Sequence, residues 1–242
     1  MPMLFALGQH HALQAVARQL RPREHLFAFL DDIYVICAPD RVAEVYRVLE
    51  AKLWAHARIR VNVLDWNESG REPEGCAHTL GPRAWCGNKP PEERGVTILG
   101  TPLGHPDFVK ARLEEVLVEH KVLLEKLGWL SDLQSAWLLL LLYCATARAN
   151  YHTRVVPPEL SKNFAEGQDD NLWGCLSGLL GLNEKESAVL RRGLAKLPFS
   201  LGGLGLRSAT RLRVAAYWAS WAESLAMIRA RHPGVAADFS TT

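Results

Sequence analysis

Cysteine is sparse and scattered. Cys37, Cys76, Cys86, Cys144 and Cys175 contain no Cys-x-x-Cys pair. That excludes a disulfide framework and a zinc ribbon, and it implies a reducing compartment. Excess charge is also lacking. The balance of 28 basic against 26 acidic residues leaves +2, too little to draw nucleic acid by bulk attraction. The apolar run Trp137 to Ala147 ends at Arg148. It falls well short of the ~20 residues that cross a bilayer, so it reads as a buried core helix and no membrane partner is expected. Met1-Pro2-Met3-Leu4-Phe5-Ala6-Leu7 has neither a basic leader nor a cleavage site, so a signal peptide is not expected. What remains is ordinary for a globular protein: 242 residues, 48% hydrophobic and 22% charged, enough for one large domain or two small ones.

The stretch that organises the chain is Phe27-Ala28-Phe29-Leu30-Asp31-Asp32-Ile33-Tyr34-Val35-Ile36-Cys37. Two β-prone runs flank two adjacent acids, which predicts a hairpin with Asp31 and Asp32 at or near its tip. Adjacent carboxylates repel each other. A divalent cation or a cluster of donors would neutralise them; a simple Asp-Asp turn is the alternative.

Apolar spacing predicts a helix over 3–20, with Leu4, Leu7, His11 and Ala15 on one side and Leu13, Val16 and Leu20 near it. Arg21-Pro22-Arg23 stops it. After the hairpin, Asp40 is the expected N-cap of a helix whose stripe is Val42, Val45, Tyr46, Leu49 and Leu53. Residues 58–64 alternate like a half-buried strand. Residues 67–94 read as a surface loop; Cys76, His78 and Cys86 within it lack a fourth ligand, so no metal is expected there. Gly95 to Gly104 reads as a second hairpin. From Pro106 onward the pattern is helical. It has a Ser131/Gln134 capping box, a break at Pro157-Pro158, helices near 160–180 and 184–196, and a last amphipathic helix over about 208–231. Gly203-Leu204-Gly205 lacks the strand and third glycine of a dinucleotide site, so packing or a tight turn is expected. Trp218 and Trp221 read as core or interface anchors.

In this order, Phe29-Leu30-Asp31-Asp32 resembles the Asp-Asp motif of reverse transcriptases of non-LTR (LINE-type) retrotransposons. Helix 41–57 with Ile59-Arg60-Val61-Asn62 looks like the palm segment that follows it. Leu99-Gly100-Thr101-Pro102-Leu103-Gly104 is similar to the primer-grip hairpin. Ala147-Arg148-Ala149-Asn150-Tyr151 and Leu201 to Ala209 resemble the thumb and the region after it. The resemblance implies an α+β fold. Residues 1–104 would be a partial polymerase palm of antiparallel hairpins with helices, and 105–242 an all-helical thumb-like or connection-like region.

The resemblance also implies a role for each motif. In the family, RNA-directed DNA polymerisation is a nucleotidyl transfer assisted by two metal ions. Asp31 would be a direct ligand of Mg2+ (or Mn2+), Asp32 a supporting one, and both catalytic. Phe29, Leu30 and Ile33 would hold the hairpin. Leu99, Gly100, Thr101, Pro102, Leu103 and Gly104 would position the primer end of an RNA/DNA template-primer. The family's earlier palm strand with its metal-binding Asp, and its Gln-Gly-Asp-Pro-Leu-type segment, do not precede Asp31. A lysine expected between Asn62 and Trp66-Asn67 is missing, and Asp65 is the only nearby carboxylate. The implied protein is a truncated polymerase, inactive alone, intracellular (nuclear or cytoplasmic), with a partner or self-association covering its exposed palm. The alternatives are a non-catalytic nucleic-acid-binding module, with Arg18, Arg21, Arg23, Arg148, Arg154, Arg191, Arg192, Arg207, Arg211 and Arg213 as phosphate contacts, and a helical interaction protein.

Overall fold

The computed structural model describes residues 2–30, 32–61, 80, 85–182 and 188–238. Helices make up 67% of it and its strands form two small antiparallel hairpins, so the fold is α+β. The chain divides into two compact units, residues 1–96 and 97–242. Asp31, residues 62–64, Asp65, Trp66, Cys76 and His78 lie outside the described residues, and the expectations that fall on them are not tested.

The first unit packs two helices and a hairpin. Helix α1 is Pro2–Ala17 and α2 is Val42–Ala57. Between them β1 (His25–Phe29) and β2 (Asp32–Ile36) pair antiparallel with Phe29 opposite Asp32. Helical spacing is present in α1, but the buried face is not the one expected. Leu7 and His11 are exposed, whereas Gln9, Ala12 and Val16 are buried. Ala12 has no bulk beyond Cβ, so α2 can come close there and bring Leu49 and Leu53 into one cluster with Val16. In α2 the stripe Val45, Leu49 and Leu53 is buried as expected. Each of those side chains contributes roughly 1.5–3 kcal/mol of apolar burial. Leu26, Ile33 and Val35 pack on this cluster from the hairpin.

Asp40 does not cap α2. It lies in a 3-10 turn, Pro39–Arg41, and the helix has no side-chain cap. Instead Arg41, buried at 7% exposure, holds Glu24 through Nε at 3.1 Å and also pairs with Glu44. Glu24 accepts the Arg21 backbone N–H at 2.7 Å. This clamp fixes the chain where it enters β1. Its hydrogen bonds, that from Arg41 foremost, hold the Glu24 carboxyl below the usual carboxylate range. Residues 58–61 form no strand, although Ile59 and Val61 do face the cluster as the alternation implied.

The second hairpin, β3 (Gly95–Ile98) and β4 (Thr101–Gly104), lies astride the division between the units. The second unit is otherwise helical: α3 (Pro106–Leu127), α4 (Leu133–Leu139), a π-helical segment (Leu140–Ala147), α5 (Arg148–Val155), α6 (Lys162–Leu179), α7 (Ala188–Lys196), α8 (Ala209–Arg231) and α9 (Pro233–Asp238). Asp132, not Ser131, caps α4, accepting from the Gln134 and Ser135 N–H groups. One cluster joins Leu124, Leu140, Cys144, Leu172, Leu176 and Leu206. A second joins Phe108, Leu113, Ala149, Val156, Phe164 and Ala209. The Trp137–Ala147 run is only half buried: Leu140, Cys144 and Ala145 face the core, while Leu138, Leu142 and Tyr143 are exposed. Helix α8 buries only Ala209 within its span, and Trp218 is 63% exposed. Neither Trp218 nor Trp221 is a core anchor. No described helix is long and apolar enough to cross a membrane.

Candidate functional site

In the first unit, β1 and β2 pair up to Phe29 opposite Asp32, and Leu30 follows directly after β1. Leu30 adopts a left-handed backbone, φ 57°, as the first position of a tight hairpin requires. Asp32 begins β2 with its side chain exposed. Asp32 thus lies at the tip end of the hairpin, while Asp31 itself is outside the described residues. The two faces of the hairpin divide by alternation. Leu26, Ala28, Ile33 and Val35 share one face, and Phe29 and Ile36 share the other with Asp32. Phe29 and Ile36 are each 57% exposed.

Of the three residues expected to hold this hairpin, only Ile33 packs on the core. The Phe29 and Leu30 side chains are exposed, because Phe29 is on the outer face and Leu30 is in the turn. A residue not anticipated from sequence holds the turn instead. Gln9 of α1, 2% exposed, donates from Nε2 to the Leu30 carbonyl at 2.5 Å. Its Oε1 is buried without a hydrogen-bond partner. A polar residue three positions from Ala12, on the buried face of α1, was the available signal.

A metal ion needs several hard-oxygen ligands. Among the described residues no group of three or more His, Cys, Asp or Glu side chains could hold one. Asp32 supplies one exposed carboxylate at the hairpin tip, which by itself does not constitute a metal site.

In the second unit, the turn of the glycine hairpin is Leu99-Gly100, with φ of 48° and 83°. Both residues are left-handed, as a two-residue hairpin turn of this hand demands. Tyr151, at α5, anchors it. Its hydroxyl donates to the Leu99 carbonyl at 2.5 Å and lies 2.8 Å from Thr101 Oγ1. A β-carbon on Gly100 would sit 3.6 Å from the Tyr151 ring. Two segments singled out separately in the sequence, Leu99–Gly104 and Ala147–Tyr151, are thereby joined. Pro102 is buried, and Leu99 and Leu103 present their side chains outward.

The Leu201–Ala209 segment is a packing device. Gly203 lies so close to Leu197 that a β-carbon there would fall 2.2 Å from the Leu197 carbonyl oxygen. Gly205 donates its N–H to the same oxygen at 2.8 Å. Asp169 of α6 then accepts from the Ala209 N–H at 2.7 Å, from Ser208 Oγ and from Lys196 Nζ at 3.0 Å. The glycines turn the chain, Ser208 is the N-cap of α8, and the buried Asp169 carboxylate accepts the helix's first N–H. Tight-turn packing, as expected, is what the structure shows for this glycine stretch.

Three other features bear on chemistry. His120 Nδ1 lies 3.1 Å from Gln168 Oε1, and Gln168 donates to the Cys144 carbonyl at 3.2 Å. Burial holds both His120 and His152 below the ordinary imidazole value. Burial also pushes the Cys175 thiol up to about 11, which favours its protonated form near neutrality. No family model matches this chain, nor does any curated protein or solved structure.

Proposed function

We propose that this chain corresponds to the second half of the palm and the thumb of a non-LTR retrotransposon reverse transcriptase, and that it does not polymerise by itself. The observation that carries the reading is the coincidence of motif and turn. Asp32 opens β2 opposite Phe29, at the tip end of the hairpin. Downstream, the Leu99–Gly104 motif turns at Leu99-Gly100. Helix α2 follows the first hairpin and a helical unit follows the second, which is the family's order.

In the parent enzyme Asp31 and Asp32 would hold divalent cations, which activate the primer hydroxyl and bind the triphosphate. In this chain Gln9 fixes the turn backbone beside the pair, and Ile33 ties the hairpin to the α1–α2 cluster. Tyr151 fixes the second turn. These residues hold two hairpins in shape. They do not supply the further carboxylate that two-metal transfer uses.

The test is primer extension on an RNA template with magnesium or manganese. The chain alone is expected to incorporate nothing above its Asp31→Ala variant. Mixing it with the fingers and first palm half of a LINE-type enzyme is expected to restore extension that Asp31→Ala and Asp32→Ala abolish. Robust extension by the chain alone, lost in Asp31→Ala, overturns the inactive reading. A mixture that stays inactive at every ratio overturns the assignment to this family.

A further inference from the structure

The C-terminal end of α2 carries an arrangement that no motif above accounts for. Trp54 lies in the last turn, 43% exposed. The helix stops at Arg58, whose backbone is left-handed, φ 56° and ψ 30°. Its N–H bonds the Trp54 carbonyl at 3.2 Å, and the Ile59 N–H reaches back to the Leu53 carbonyl at 3.4 Å. Glycine usually occupies that position, because a β-carbon is disfavoured there. Here the position holds an arginine, and its side chain is used. The Arg58 guanidinium carbon is 5.4 Å from the Trp54 ring centroid, and that of Arg60 is 5.5 Å from it. Both distances are within cation–π range.

Ile59, between the two arginines, packs toward the Leu49–Leu53 cluster, while Arg58 and Arg60 are exposed. Neither makes an ion pair with a described residue. Two guanidinium groups are therefore held beside one indole, with no hydrogen bond or ion pair to another side chain among the described residues. Both guanidinium groups contact the same ring. Such a group suits one ligand chemistry in particular. Guanidinium edges bind phosphate oxygens bidentately, and guanidinium planes and indole faces stack on unpaired bases.

We propose that Trp54, Arg58 and Arg60 form a binding platform for single-stranded nucleic acid on the first unit. The platform lies outside both hairpins and requires no metal ion. With a chain charge of only +2, the local cluster rather than bulk attraction supplies the contact. The inference stands apart from the polymerase reading: failure of primer extension leaves it untouched, and its own failure leaves the assignment of the hairpins untouched.

The test is fluorescence anisotropy of a short labelled oligothymidylate titrated with the full chain over a series of salt concentrations. Binding is expected at low salt, with log K falling linearly against log salt. Replacing both arginines (Arg58→Gly with Arg60→Ala) removes two phosphate contacts. It should reduce the magnitude of the slope by about 1.4, at roughly 0.7 per phosphate on a single strand. By the same relation, affinity at about 0.1 M salt should weaken about 25-fold. Arg58→Gly relieves the left-handed position, so its melting temperature should be equal to or above that of the parent chain, which separates lost binding from lost folding. Trp54→Ala, and Arg58→Lys with Arg60→Lys, preserve net charge and must also weaken binding. No binding at low salt overturns the proposal. So does an unchanged slope in the double variant, or charge-preserving variants that bind like the parent chain.

Discussion

Removing one oxygen atom, by Tyr151→Phe, should open the glycine hairpin. The Tyr151 hydroxyl holds the Leu99 carbonyl and Thr101 Oγ1 together, 2.5 and 2.8 Å away. A hydrogen bond contributes about 0.5–1.5 kcal/mol net, and two at a side chain that is partly exposed contribute about 1–2 kcal/mol together. Against this stands the left-handed backbone of Leu99, φ 48°, which costs a residue with a β-carbon about 1–2 kcal/mol. The two terms are of equal size, so the clamp is what offsets the strained turn. Without the hydroxyl, local opening should become about tenfold more frequent, since 1.4 kcal/mol is a factor of ten. Amide hydrogen exchange over residues 95–104 reads this directly. Leu99→Gly relieves the strain and should restore protection in the Tyr151→Phe background. Unchanged protection in Tyr151→Phe would refute the reasoning, and so would a failure of Leu99→Gly to rescue.

Three further outcomes are expected. Burial holds His120 and His152 below the ordinary value, so the unfolded chain takes up protons first as pH falls. Stability is therefore full above about pH 6.5 and declines as pH drops toward the lower folded values; melting temperatures that stay flat across that range contradict this, and His152→Phe should flatten the decline. Gly203→Ala places a β-carbon against the Leu197 carbonyl and should cost about 1–3 kcal/mol or more, whereas Gly178→Ala, on a helix face with nothing within 4 Å, should stabilise by about 0.4–1 kcal/mol; urea denaturation compares the two. Asp169→Ala leaves Lys196 without its carboxylate partner and the Ala209 N–H at the start of α8 without its acceptor. Because the Lys196 side chain retains 22% exposure, the loss should be about 3 kcal/mol, the low end for a broken buried pair; a loss below about 1 kcal/mol, the size of a surface pair, would show that the network carries little.

Periodicity located the helices and the hairpins, because it depends only on local alternation of apolar and polar residues. It did not locate the contacts between them. In α1 the helical spacing was legible, but the face packed on α2 is that of Ala12 and Val16, and Gln9 is buried beside it. Asp132 capped α4 in place of Ser131 because its carboxylate reaches two N–H groups at once. Asp40 lost its capping role to a turn ordered by Arg41 and Glu24, which are 17 residues apart in the chain. The glycines of 202–205 were legible as a turn. Tyr151 was visible as part of a motif, but its partner, 52 residues away, was not. The Trp54–Arg58–Arg60 group was missed because a helix end that lacks glycine does not advertise itself by spacing.

The π-helical segment explains why the leucine run of 137–147 misled most. Wider turns take up one extra residue in each hydrogen-bonded loop. The apolar face behind the segment is thus rotated relative to the face ahead of it. Leu140 and Cys144 serve one cluster, and Ala149 on the same unbroken helix serves another. The segment behaves as a coupling between two gears. Deleting a single residue within it would tighten the helix, turn α5 by about 100°, and carry Tyr151 away from the turn it holds. A length change of one residue there should be worse tolerated than most substitutions along the run.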